Sequence, residues 1–386
     1  MILKRRDRIG WIAPMPSGDQ IDFLRALAQR PEIDLSVIYC SPQSVKGALA
    51  VSEPFGRGFA LGGVTVPGPG GPLFLNSGII PHLMKTRYDL VIVSGYIYPT
   101  MQLAMMMRAL QQRPWVLFAE RPGVNNRTAW GKSLRMLPML MPRTADAVIS
   151  TGRLAQQEYQ NYLGENANVF CLPYLVDLDP FLKIERAPRK DEDGLRLLSC
   201  GQLVARKGID VLISAFVRVT GRCPNVSLEI VGDGPEKSNL MQSVPGEFKS
   251  SVVFTGNVPF EQRAESFGKA DVFVHPARHD GWGVVIQEAM ASGLPVISTR
   301  ETGAAYDLVD EGQNGFLVGA GDVDGLADSI AGLVKNRDKV SRLGMNARRK
   351  VSGFTPEWGA ERFVQISRSI LDARWEEAVK IAPRSV

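Results

Sequence analysis

Several common handles of protein chemistry are scarce or missing in this chain of 386 residues. Histidine occurs three times, as His82, His275 and His279, so a reaction built on several imidazoles has little to draw on. The four cysteines, Cys40, Cys171, Cys200 and Cys223, lie far apart and form no C-x-x-C pair. That argues against a disulfide framework or a zinc cluster and for free, mostly buried thiols. No apolar run approaches the roughly 18 residues of a membrane span, and the basic opening stretch Met1–Arg8 lacks the apolar segment of a signal peptide. The expectation is a cytoplasmic protein, possible also at the inner face of the membrane. No G-x-G-x-x-G follows the first strand of either half, which argues against a dinucleotide oxidoreductase. No acid cluster has ligand spacing, and the "DLD" at 177–179 follows no glycine-rich site turn. Neither a metal nor a cofactor is therefore expected.

What is present is ordinary globular material, 45% hydrophobic and 22% charged, enough for two domains. The net charge of +5 is uneven: residues 1–180 hold 18 Lys+Arg against 13 Asp+Glu, and residues 181–386 hold 27 of each. A basic first half suits an acidic substrate or an anionic membrane surface, and nothing is dense enough to suggest nucleic acid. The runs "RIGWIAP", "IDLSVIYC", "YDLVIVSG", "PWVLFAE" and "ADAVIST" read as buried strands separated by helical stretches. "KIERAPRKDEDG" reads as a linker, after which the rhythm restarts with "LRLLSCG", "VSLEIVGDG", "SVVFTGN", "ADVFVHP" and "LPVIST". The predicted architecture is α/β, two Rossmann-like domains facing across a cleft: 1–182, a linker at 183–194, and 195–359. A C-terminal helix over about 360–386 is expected to pack back onto the first domain. The Gly/Pro-rich residues 56–74 read as a loop with a short hairpin. Ligands of such sheets bind beyond the carboxyl ends of the strands.

The stretch "HDGWGVVIQEAM" at 279–290 places Asp280 just before a helix and Glu288 about two turns along it. At about 1.5 Å per residue the two acids stand roughly 12 Å apart or less, too far to act on one bond but suited to opposite ends of a long ligand. Between them the amides of Gly281, Trp282 and Gly283 open a helix N-terminus, which favours phosphate. Taken alone, Asp280 reads as a helix cap and Glu288 as a solvated or core-edge helix residue. "GQLVARKGIDVLISAF" sets Arg206 and Lys207 between strand and helix, as diphosphate partners or as plain surface cations. "ETGAAYDLV" gives a small-residue turn at Gly303, Ala304 and Ala305, with amides open to a ligand or serving only the turn. "VGDGPE" and "FTGNVP" are further glycine turns after strands.

Together, residues Gly201–Val318 resemble the nucleotide-sugar domain of retaining GT-B glycosyltransferases of family 4, with their G-x-L-v-x-x-K-G turn, V-G-D-G-P turn and E-x7-E signature. The resemblance implies that Glu288 holds the donor ribose, Asp280 the sugar, and Arg206 with Lys207 the pyrophosphate. It implies support from Gly303, Ala304 and Ala305, and a base near Gly256, Asn257 and Val258. Three departures stand out. Asp280 replaces the usual Glu, Gln202 stands where Arg is common, and the first-domain His of many relatives has no counterpart. Glu120, at the end of "PWVLFAE", either takes that place or is a salt-bridged strand-end acid. Gly18, in the loop "APMPSGDQ", either approaches the donor phosphate or serves a turn. The Met-rich segments "TMQLAMMMRAL" and "SLRMLPMLMPR" are either core helices or adaptable surface beside Arg135 and Arg143 for a lipid-linked acceptor. The implied function is metal-independent transfer of a hexose from a nucleotide diphosphate sugar to an acceptor hydroxyl in bacterial surface polysaccharide or glycolipid synthesis. The alternatives are a nucleotide-sugar epimerase and an inactive sugar-nucleotide-binding scaffold subunit.

Overall fold

The structure, a computed structural model, describes residues 6–41, 58–68, 71–122, 141–186, 194–223, 225–334 and 336–381. It divides into two compact units, Met1–Val176 with Thr355–Val386, and Asp177–Phe354.

The first unit is built on β1 (Asp7–Ala13), β2 (Ile33–Tyr39), β3 (Gly58–Ala60), β6 (Leu90–Ser94), β7 (Trp115–Ala119), β8 (Ala147–Ser150) and β9 (Val169–Cys171), ordered β3-β2-β1-β6-β7-β8-β9. Every pairing in this sheet is parallel. Its central strands are buried throughout, as unbroken apolar runs covered on both faces must be. Between β3 and β6 the chain makes the expected hairpin, β4 (Val64–Gly68) with β5 (Gly71–Leu75). Helices α1 (Gly18–Ala28), α2 (Ile79–Lys85), α3 (Pro99–Leu110) and α4 (Arg153–Leu163) complete the alternation. The C-terminal helix α13 (Pro356–Ile381) returns to this unit and sets Phe363 against Trp11 of β1 at 5.6 Å and Phe23 of α1 at 6.1 Å. Trp11 and Phe363 are both fully buried, so the helix completes the core.

The second unit repeats the plan with β10 (Leu195–Cys200), β11 (Val226–Val231), β12 (Val252–Gly256), β13 (Val272–His275), β14 (Val296–Thr299) and β15 (Gly315–Val318), ordered β12-β11-β10-β13-β14-β15 and parallel throughout. Its helices are α5 (Asp179–Leu182), α6 (Ile209–Thr220), α7 (Lys237–Ser243), α8 (Phe260–Lys269), α9 (Val284–Ala291), α10 (Gly303–Leu308), α11 (Val323–Val334) and α12 (Arg337–Val351).

The units part at Val176/Asp177, earlier than the charged linker at 183–194 predicts. Two contacts fasten α5 and the first linker residues to the rest of the second unit. Phe181 of α5, fully buried, meets Phe267 edge-on at 5.2 Å. Arg186 donates to the carbonyls of Phe267, Ala270 and Ser292 at 2.8, 2.8 and 2.6 Å. Composition marks this stretch as exposed loop, but its arginine, half-buried, caps the ends of α8 and α9. The remaining linker residues 187–193, like Arg135, lie outside the described residues. All four cysteines are free thiols, and burial pushes that of Cys40 up to about 12.

Candidate functional site

In the second sheet the chain runs outward from β10 to β12, then returns to the other side of β10 as β13. The gap between β10 and β13 at their carboxyl ends is the switch point, where open α/β sheets take ligands. Two loops meet there. The 3-10 turn Ala205–Lys207 follows β10, and its Arg206 carbonyl accepts from the backbone amide of Arg278, in the loop after β13, at 2.8 Å. The Arg278 side chain also binds the Ala205 carbonyl at 2.8 Å and grips Asp210 of α6 with two bonds of 2.8 and 2.6 Å. Gly208 must be glycine for this approach: its φ is +67°, and a Cβ would sit 2.1 Å from the Pro276 carbonyl oxygen.

Asp280 is the hub of the joined loops. One carboxylate oxygen, Oδ2, accepts from Lys207 Nζ at 2.5 Å and from His275 Nε2 at 2.9 Å, and Oδ1 accepts from Arg206 at 3.3 Å. Asp280 is 7% exposed and His275 is 2% exposed. Burial by itself would raise the Asp280 pKa, but the His275 hydrogen bond and the Lys207 charge overcome it and hold the carboxyl well below the usual range. Burial lowers the His275 pKa despite Asp280, so a neutral imidazole donates from Nε2. The sequence reading gave Asp280 and the two cations separate duties. The structure joins them, one carboxylate aiming two cations beside the switch point.

The stretch at 279–283 is locked to the loop after β14. Asp280 and Thr302 form an isolated parallel bridge, the Asp280 amide donates to Glu301 O at 3.3 Å, and the Gly303 and Ala304 amides donate to Asp280 O and Trp282 O at 3.2 and 2.8 Å. The expectation of open amides at these two residues is thereby corrected, because the turn spends them on its neighbour. A Cβ at Gly303 would lie 2.4 Å from Gly281 O, so glycine permits the contact. Ala305 is fully buried in the same turn. Trp282 faces inward, 1% exposed, with its indole N–H on Gln287 at 2.9 Å. The amides of Gly281, Trp282 and Gly283 meet no protein acceptor among the described residues, and they stand at the N-terminus of α9. That is the donor arrangement that suits an anion.

Glu288 lies on α9, 3% exposed, and faces Arg263 of α8 at 3.7 Å. Arg263 escaped the sequence reading, since nothing in "FEQRAESFGK" distinguishes it from the solvated Lys269; Arg278 and Asp210 escaped it likewise. Gly256 ends β12, two strands from β10, and Asn257, exposed, and Val258 follow it. In the first unit, Gly18 is exposed and is the first residue of α1, so it serves no tight turn. Glu120 is exposed just past β7, and the next residue, Arg121, pairs with Glu158 at 2.5 Å. His82, the one histidine of this unit, bonds Tyr88 Oη at 2.9 Å. Arg143 stands 5.1 Å from the Tyr162 ring. His279 donates its backbone amide to the Arg206 carbonyl at 3.4 Å, and its own carbonyl accepts from the Arg206 guanidinium at 3.4 Å.

Two parallel sheets of the same winding, with the hub at the second switch point, define the class: this is the GT-B fold of glycosyltransferases. Residues 180–350, nearly the whole of the second unit, match the family described as Glycosyl transferases group 1. Sucrose-phosphate synthase from Thermosynechococcus elongatus superposes with a TM-score of 0.73 at 21% identity, over 95% of this chain and 100% of that one. Anabaena Alr3699/HepE in complex with UDP gives 0.72 at 18%, over 95% and 100%. At these identities the likeness speaks for the fold alone. In sequence, the chain is 31% identical over 218 residues to the GDP-mannose-dependent alpha-(1-6)-phosphatidylinositol monomannoside mannosyltransferase of Mycolicibacterium smegmatis, covering 53% of this chain and 57% of that one. It is 32% identical over 178 residues to the lipopolysaccharide core biosynthesis glycosyltransferase LpsE of Rhizobium meliloti, covering 45% and 49%. The chain thus spans about half the length of these relatives. Among the described residues no helix is long and apolar enough to cross a membrane, and no group of His, Cys, Asp and Glu could hold a metal ion.

Proposed function

We propose that this protein transfers a hexose from a nucleoside diphosphate sugar to a hydroxyl of a glycolipid or surface-polysaccharide acceptor, with retention at the anomeric carbon. The observation that carries the reading is the Asp280 hub, where one buried carboxylate presents Lys207 and Arg206 at the second switch point. Two cations against one carboxylate leave a net positive charge, and the amides at the start of α9 add to it. A diphosphate is the ligand whose charge answers both. As the bond from the anomeric carbon to the diphosphate oxygen breaks, the charge left on that oxygen is stabilised by Lys207, Arg206 and these amides. The acceptor oxygen forms the new glycosidic bond, and its proton passes to the departing phosphate, so no histidine of the protein is needed. The relatives named for GDP-mannose-dependent transfer to a phosphatidylinositol mannoside and for lipopolysaccharide core synthesis support the donor and acceptor classes.

Incubation with a panel of labelled nucleotide sugars, in EDTA, tests the reading. Transfer or slow donor hydrolysis, with the product's anomeric configuration retained by NMR, supports it. Interconversion of the sugars would make the protein an epimerase, and binding without turnover a scaffold.

A further inference from the structure

At the amino-terminal edge of the second sheet, the opposite end from the switch point, arginines gather around one acid. Asp271, buried, immediately precedes β13 and faces Arg196, the second residue of β10. The Asp271 amide donates to the Arg196 carbonyl at 2.8 Å, and its carboxylate accepts from the Arg196 amide at 2.8 Å. The Arg196 guanidinium lies 3.5 Å from that carboxylate, and the guanidinium of Arg337, the first residue of α12, lies 3.4 Å from it. Arg186 holds the adjoining Ala270 carbonyl at 2.8 Å, and Arg348 holds those of Ala291 and Ile184 at 2.9 and 2.8 Å. A Cβ at Gly293 would lie 3.3 Å from Arg348 Nη2 and 3.4 Å from Arg186 Nε, so these two cations are near neighbours.

Both charge and hydrogen-bonding capacity are left over here. Among the described residues, Arg196 and Arg337 share the Asp271 carboxylate, while Arg186 and Arg348 meet carbonyls and no acid. Burial pushes the Arg186 pKa down to about 10, with Asp271 acting against the shift and Arg348 adding to it. The Arg337 side chain is 9% exposed, and its Nε and Nη2 are buried without a hydrogen-bond partner. Such orphaned donors are costly, the more so on a charged group. Nε and Nη2 share one edge of the guanidinium plane, the fork that grips two oxygens of one phosphate. The amides of Arg337 and Asp338 open α12, which runs for 15 residues, and meet no acceptor among the described residues, whereas the Asn336 side chain caps the Lys339 amide at 2.8 Å. Arg196, with 39% of its side chain exposed, opens the cluster to solvent. Water answers the hydrogen bonds but not the charge. A compact oxyanion answers both.

We infer that Arg337 and Arg196, with the start of α12, bind a free phosphate-type oxyanion at a second site, at the far end of the sheet from the donor. The inference does not depend on the transfer reaction. Equilibrium dialysis of radiolabelled inorganic phosphate against the full chain, at constant ionic strength, tests it in Lys207→Gln, which removes a cation of the donor site. The expected result is saturable binding of a single phosphate per chain. In the same background Arg196→Gln and Arg337→Gln should each weaken it about tenfold or more. Asp338→Asn, which takes an exposed acid from the first turn of α12, should tighten it about two- to fivefold. Arg337→Gln also takes a partner from buried Asp271, so the half-exposed Arg196 keeps the test decisive if that variant fails to fold. No binding to Lys207→Gln, or unchanged affinity in Arg196→Gln, would overturn the inference. So would tighter binding of glycerol phosphate than of phosphate, which would give the site to a phosphate carried on a larger molecule. Phosphate binding that persists while no nucleotide binds would count against the proposed function alone.

Discussion

At the scale of single residues, Asp280 shows how a buried charge is kept and used. It costs free energy to place a carboxylate where 7% of it meets solvent, and three donors offset that cost. Asp280→Ala leaves Lys207 half-enclosed without its acid, and should cost about 3 kcal/mol in denaturant unfolding as well as donor binding. Glu288→Ala should weaken nucleoside diphosphate binding with a smaller effect on the sugar-dependent step, as separate titrations with nucleotide and nucleotide sugar would show. Acid should act in two stages. His275 has a folded pKa below its ordinary 6.5, so the unfolded chain takes the proton first. Its contribution to stability is complete above that value and is lost as pH falls below it. Asp280 is depressed below its ordinary 3.8, so its contribution is present above that value and is lost as pH falls further. Tm against pH should drop through both ranges, and Asp280→Asn should remove the lower one. The acids and cations were legible in the sequence because charged residues beside glycine turns in an apolar setting are conspicuous. That they contact one another was not, since 73 positions separate Lys207 from Asp280. Arg263 and Arg278 were not legible either, because a lone arginine on an exposed-looking segment carries no mark of its partner.

At the scale of elements, the central strands announced themselves as apolar runs, whereas β3, β9 and β15 did not. These are edge or near-edge strands of three or four residues, too short to show a period, and they form because a neighbour is already in place. The meeting of the β10 and β13 loops depends on Gly208. Gly208→Ala must adopt a left-handed φ and displace the Pro276 carbonyl, so a loss of about 2 kcal/mol or more is expected in urea unfolding. Arg186 belongs to this scale as well, because its three carbonyl bonds hold the ends of α8 and α9, which carry Arg263 and Glu288. Arg186→Met should cost about 2–4 kcal/mol by stranding those carbonyls. The charged composition of 183–194 hid this, since arginine in a polar stretch reads as loop whether or not its guanidinium finds carbonyls to bond.

At the scale of the whole molecule, the chain builds one winding order twice and returns its last helix to the first unit. The repeated strand rhythm made the two-unit plan legible, and the apolar spacing of the C-terminal helix marked it as a packing element. Phe363→Ala should cost about 3–5 kcal/mol in the first unit, because it empties a site bounded by Trp11 and Phe23. Whether α3 is core or surface stayed open in the sequence, because its methionines and leucines recur all along it and do not say which face is covered. Calorimetric titration of UDP and of GDP into the protein and into Lys207→Gln tests the central claim most directly. At least one nucleotide should bind, and the substitution should weaken it about tenfold or more while the fold persists. Equal affinity in the two proteins, or no binding to either nucleotide, would contradict the assignment of the Asp280 hub as a diphosphate site.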